Sequence, residues 1–128
     1  MKKAHGELNK VVGSGGLPTF GDIVYLPYIN ALVTKCLRWR PLLPFGFGVV
    51  SENDEYVGYR IPKGAIVMPN HWAQDLDDVA FENATEFRPE RWLEMPNLPL
   101  ASFGFGRRGC IGRHVARSSL TIAIARLI

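Results

Sequence analysis

The densest chemistry in this 128-residue chain sits in one stretch, Phe103-Gly104-Phe105-Gly106-Arg107-Arg108-Gly109-Cys110-Ile111-Gly112. A glycine-rich, arginine-bearing loop delivers a cysteine immediately before an apolar segment of helical character. The unpaired N–H groups and positive dipole end of a helix N-terminus favour negative charge, and a neighbouring cation adds to that, so the position suits a thiolate. Gly106 and Gly112 let the backbone approach a flat partner closely, because no side chain intervenes. Phe103 can cover one side of the sulfur and limit its access to water, and Arg108 can reach an anionic group beside it. A soft anionic sulfur in a dry, electropositive loop suits a heme iron held by cysteine thiolate.

Other readings of these residues are weaker. Gly104-x-Gly106-x-x-Gly109 spells a dinucleotide fingerprint, but that motif belongs after a hydrophobic strand and about 20 residues before an acidic residue. Here Pro96-Asn97-Leu98-Pro99-Leu100 precedes it and no acidic residue follows Glu94. Cys36 and Cys110 are the only cysteines and no C-x-x-C pair exists, which argues against structural zinc and against a disulfide scaffold and fits a reducing compartment. His5, His71 and His114 are scattered and form no metal-binding pair. Asp75, Asp77 and Asp78 lack the glycine and later glutamate of an EF-hand loop and read as a solvated loop.

The elements that must position the loop follow from pattern. Residues 2–12 read as a helix stopped by Gly13-Ser14-Gly15-Gly16-Leu17-Pro18. Pro27 suits a first helical position, and Ile29, Leu32, Val33, Cys36 and Leu37 recur at helical spacing up to Pro41. That stripe places Cys36 in the core. Residues 47–52 and 56–61 read as a hairpin around Asn53-Asp54, and Pro62-Lys63-Gly64 turns into a short strand at 65–68. A short helix is expected near 70–75, then mostly coil over 79–101 with a helical turn near 89–92. After Cys110, the apolar residues Val115, Leu120, Ile122, Ile124, Leu127 and Ile128 populate a helix on nearly every side, which predicts burial all round. The expected class is mainly α with a small β-hairpin or sheet, α+β overall, in one unit covering 1–128.

Phe103, Gly106, Arg108, Cys110 and Gly112 fit the pattern F-x-x-G-x-R-x-C-x-G, which resembles the heme loop of the cytochrome P450 monooxygenases at every position. Phe87-Arg88-Pro89-Glu90-Arg91-Trp92 resembles that family's F-x-P-E-R-F/W segment. Leu26 to Ala31 and Leu37-Arg38-Trp39-Arg40-Pro41 resemble its helix upstream of the loop. The resemblance spans nearly the whole chain, in family order, and implies a partial fold of that family: its C-terminal, proximal heme-binding part, as a fragment or truncated product. It implies that Cys110 is the axial thiolate ligand to heme iron, that Arg108 pairs a heme propionate, and that Phe103, Gly106 and Gly112 shape the sulfur's surroundings. It further implies electrons from an NADPH-dependent reductase or other donor, a small apolar organic substrate, and insertion of one oxygen atom into it. The opposing reading is a non-catalytic remnant or interaction module.

Three departures from the family pattern bear on that choice. The segment Phe45-Gly46-Phe47-Gly48-Val49-Val50 carries no basic residue where relatives usually place a second propionate partner. The long helix crossing the distal face, with its acid–alcohol pair, is not among these residues. The Glu-x-x-Arg pair on the helix at 28–39 is represented by Lys35 and Arg38, with Arg91 completing the expected triad, a departure second only to the distal helix. An acid that would neutralise two arginines is replaced by a third cation, unless Lys35 swings outward with Glu86 or Glu90 compensating.

Composition excludes other classes. The chain is 47% hydrophobic and 21% charged, which is globular rather than disordered. Its net charge of +3 is modest and its basic residues form no stripe with aromatics, so no nucleic-acid partner is expected. Arg107, Arg108, Arg113 and Arg117 cluster around the cysteine, either as a solvated helix start or as a docking patch for an acidic redox partner. No run of 18 apolar residues spans a membrane. An intracellular setting is expected, any membrane anchor lying outside these residues.

Overall fold

A computed structural model describes residues 1–128. Helix α1 (Lys2–Val12) ends at Gly13, whose φ of 77° only glycine adopts at low cost. A 3-10 turn at Phe20–Tyr25 leads into α2 (Pro27–Trp39), with proline at its first position as expected. The carboxylate of Glu7 on α1 accepts the N–H groups of Tyr28 (2.8 Å) and Ile29 (3.0 Å), so a side chain 21 residues away satisfies two orphan donors at the start of α2. Asn30 donates to Ile23 O and Leu26 O and locks the 3-10 turn to the same helix.

Short strands follow. β1 (Gly48–Val49) pairs antiparallel with β4 (Ile66–Val67), and β2 (Asp54–Tyr56) pairs with β3 (Tyr59–Ile61). The hairpin therefore turns at Val57-Gly58, not at Asn53-Asp54 as the sequence predicts. Val57 and Gly58 have φ of 51° and 79°, the pair of positive values that a two-residue turn needs to match strand twist. Asn53 instead accepts the Lys63 N–H through Oδ1 (2.9 Å) and Asp54 is drawn into β2. The turn at Pro62-Lys63-Gly64 forms as expected, Ala65 N–H donating to Pro62 O.

Helix α3 (His71–Asp75) is capped by Asn70, whose side chain accepts the Ala73 N–H at 3.0 Å. Coil then leads through the short α4 (Arg91–Glu94) to α5 (Arg113–Leu127). The class is thus mainly helical with small antiparallel pairs, as the sequence predicts.

Two cores result. Ala4, Leu8, Leu26, Ile29 and Ala125 join α1, α2 and α5, and Ala31, Phe81, Ala84 and Trp92 join α2 to α4 and the coil before it. A polar seam also ties α2 to α5: Arg117 donates to Thr34 Oγ1 and Thr121 to Asn30 Oδ1, both at 3.1 Å.

Three expectations are overturned. Helix α5 buries one stripe, Thr121, Ile122 and Ala125, while Val115 and Leu127 are exposed, because α2, α1 and the first 3-10 turn cover only one side of it. Cys36 is exposed rather than core. The buried residues of α2 are Ile29, Ala31, Val33, Thr34, Lys35 and Arg38, covered by α1, α4 and α5, which leaves Cys36 outside. Asp75 is buried, not solvated, since α3 packs against the 3-10 turn at Ala101–Phe103; Asp77 and Asp78 remain exposed.

Candidate functional site

The cysteine loop hangs between α2 and α5. Its entry is the 3-10 turn Ala101–Phe103, where Ser102 Oγ donates to Leu37 O near the end of α2 at 2.9 Å. The loop closes on itself: Cys110 N–H donates to Phe103 O at 2.8 Å, enclosing a second 3-10 turn at Gly106–Arg108. Gly104 and Gly106 have φ of 71° and 55°, so the path is available to glycine and strained for a side chain. Gly109 N–H donates to Gly106 O at 3.2 Å and holds the turn tight. Gly112 stands at the N-cap of α5, and a Cβ there would lie 3.8 Å from Cys110 Sγ.

The structure brings the five motif residues into this one loop. Phe103 is half-buried beneath it; Cys110 and Arg108 are exposed. Arg108 lines a hollow of about 560 Å³ with Phe47, Gly48, Val49 and Ser51. The strand segment that lacks a basic residue therefore faces Arg108, and Arg108 is the single cation of that hollow. Among the neighbouring arginines, Arg117 is tied to Thr34, and Arg113 approaches His114 through its Nε at 3.3 Å.

His71 is a supporting residue that sequence reading missed. It is buried, its Nδ1 lies 3.2 Å from Leu43 O, and its ring meets Phe105 edge-on with centroids 5.7 Å apart. It fixes the loop's outer aromatic to α3. A histidine without a partner motif carries no sequence signal for such a role.

The second cluster is Lys35, Arg38 and Arg91, and all three are buried. Arg38 donates to Asp75 O and Ala84 O and stacks over Phe81, its Cζ 4.4 Å from the ring centroid. Arg91 donates to Glu82 O at 2.6 Å and Asn83 O at 3.3 Å. Lys35 Nζ has no hydrogen-bond partner and lies 5.5 Å from the Phe87 ring centroid. The outward swing does not occur, and Glu90 is taken by Lys3 on α1. Burial first, then Arg38 and Arg91, push the Lys35 amine down to about 8, against a partial pull from Glu86. Burial likewise lowers Arg38, with Arg91 adding and Asp75 opposing, and it raises the Asp75 carboxyl against the backbone N–H of Ala101.

The family model described as Cytochrome P450 matches residues 1–128. This chain belongs to the cytochrome P450 family. It is 50% identical over 95% of its length to the cytochrome P450 monooxygenase FrzL of a Cladobotryum species, and 49% identical over its full length to the cytochrome P450 monooxygenase drtD of Aspergillus calidoustus. It is 46% identical over 98% of its length to fumitremorgin C synthase of Aspergillus fumigatus. These matches cover 24%, 25% and 24% of the relatives, so the chain spans about a quarter of the curated P450 enzymes it matches. A zebrafish cytochrome P450 solved with abiraterone superimposes with a TM-score of 0.88 and 30% identity, over 98% of this chain and 30% of that one. FrzL and drtD are monooxygenases by name, and heme is the cofactor that family membership implies.

Proposed function

We propose that this chain is, as one unit, the proximal heme-binding part of a P450 monooxygenase, with Cys110 as axial ligand. One observation carries the reading: an exposed thiol held at a helix N-terminus by a glycine loop that closes through the Cys110–Phe103 backbone bond. The residues fit a heme. Cys110 offers a soft donor, Gly112 puts no side chain beside the sulfur, Phe103 accepts the Cys110 N–H through its carbonyl, and Arg108 supplies positive charge over the adjoining hollow. Bound heme supplies oxygen activation and insertion of one oxygen atom into a small apolar organic substrate, with electrons from a reductase or other donor.

The chain's own residues do simpler things. Cys110 would hold the iron through its thiolate. The glycines at 104 and 106 allow the loop its path, because they take positive φ without the strain a side chain would add. Arg108 would pair an acidic edge of the group with its guanidinium. The exposed arginines 107 and 113 beside it would raise the encounter rate with an acidic electron donor.

Lys35 favours a second reading, a non-catalytic remnant. A buried, unpartnered amine beside two buried guanidinium groups weakens the framework on which the cysteine loop rests.

The test is reconstitution with heme and the spectrum of the reduced, carbon monoxide-bound protein. A thiolate-type band is expected for the chain and for Cys36→Ser, and its loss for Cys110→Ser. Survival of the band in Cys110→Ser removes the assignment; no heme uptake by the wild-type chain favours the remnant reading.

A further inference from the structure

Lys35 Nζ is fully buried and donates to nothing, and the Nε atoms of Arg38 and Arg91, also buried, lack acceptors as well. An unsatisfied buried amine beside two guanidinium groups whose Nε donors are also unsatisfied describes a place where an anionic oxygen is missing. No carboxylate supplies it. Glu86 attracts Lys35 without bonding to it, Glu90 is engaged by Lys3, and Asp75, whose buried Oδ2 is itself unpartnered, bears on Arg38 and not on the lysine.

We propose that Lys35 is a carbamylation site, at which its ε-amine adds carbon dioxide and the carbamate formed accepts hydrogen bonds from Nε of Arg38 and Arg91. In the step, the amine lone pair forms an N–C bond to carbon dioxide as one C=O π bond breaks to leave a carboxylate. The displaced proton goes to water and nothing is oxidised or reduced. A cation thereby becomes an anion at the end of the same side chain.

The surroundings favour each part of that step. Only the uncharged amine is nucleophilic, and burial between two guanidinium groups opposes protonation: at a pKa of about 8 roughly a tenth of the amine is free at neutral pH, against less than about a thousandth for an ordinary lysine. The product converts a like-charge contact into two charge-assisted hydrogen bonds, which are the stronger kind. The wall beyond Nζ is the ring of Phe87, itself 42% exposed, so it can swing aside for the added group without opening the close-packed core.

The probe is carbon-13 bicarbonate, with its dissolved carbon dioxide, given to the full chain at constant pH and ionic strength. The carbamate is trapped by alkylation with an oxonium salt and the label located by peptide mass spectrometry, which separates Lys35 from the N-terminal amine. Label on Lys35 is expected in the folded chain and not in urea, and the thermal midpoint should rise by several degrees with bicarbonate. Lys35→Glu, which brings its own carboxylate, should show no bicarbonate response. Absence of label on Lys35 overturns the proposal. So does an equal rise in midpoint with chloride or formate, which would make the cluster a simple anion site.

Discussion

Two arginine-bearing regions of this molecule use the same charge in opposite ways. In the cysteine loop, Arg107 and Arg108 are exposed, bonded to no side chain, and free to meet a ligand. In the cluster below α2, Arg38 and Arg91 are buried and already committed to four backbone carbonyls. An exposed guanidinium remains hydrated, so it costs little to hold ready. A buried one has lost its water, so every donor left without a partner, as Nε of Arg38 and Arg91 are, costs stability. The loop is therefore a place for function, whereas the cluster is a fastening whose balance of charge decides stability. Lys35 disturbs the fastening directly and the loop only through it.

The two regions should differ most when one arginine of each is removed. Arg38→Ala strips the donors from Asp75 O and Ala84 O and leaves them buried; it should destabilise the chain by about 3 kcal/mol or unfold it in a urea titration. Arg108→Ala should shift the urea midpoint within about 0.5 kcal/mol while weakening heme retention. Equal losses from both would mean that the loop arginine is structural too.

Lys35→Glu comes next. It places a carboxylate beside the unpartnered Nε atoms of Arg38 and Arg91 and should raise stability by about 2–3 kcal/mol, observed as a higher thermal midpoint. A lower midpoint would show that the glutamate side chain cannot reach those donors.

A smaller and pH-dependent effect sharpens the same point. The folded-state pKa of Lys35 is about 8, below its ordinary 10.5, so the folded chain releases this proton first. Below about pH 8 both states are protonated and the whole cost of burying the charge is present; between 8 and 10.5 that cost is relieved and stability should rise with pH. Subtracting the profile of Lys35→Met isolates this rise from other alkaline titrations, and identical profiles would refute the buried cation.

The smallest effect lies in the hairpin. Val57 is β-branched at φ 51° and exposed, so Val57→Asn should stabilise by about 0.5–1 kcal/mol, whereas Gly58→Ala should destabilise by about 1 kcal/mol. Thermal melts of both variants check the turn assignment.

How much of this was legible beforehand varies with the range of the interaction. Proline at the start of α2, glycine after α1, and the glycine spacing around Cys110 act within a few residues, so the sequence alone determined the helix ends and the composition of the cysteine loop. The family pattern added the order of its segments and marked Lys35 as the departure. The hairpin slipped because Asn53-Asp54 has the better turn composition, while the pairing of β1 with β4 left Val57-Gly58 to make the turn. Cys36 was misplaced because an apolar stripe says which residues can be buried, not which side the neighbours occupy. Only tertiary structure decided that α2 turns Lys35 and Arg38 toward α4, that Lys3 claims Glu90, and that Arg108 faces the strand lacking a second cation. Each of those depends on groups far apart in the chain, whose desolvation and pairing exist only once the helices have packed.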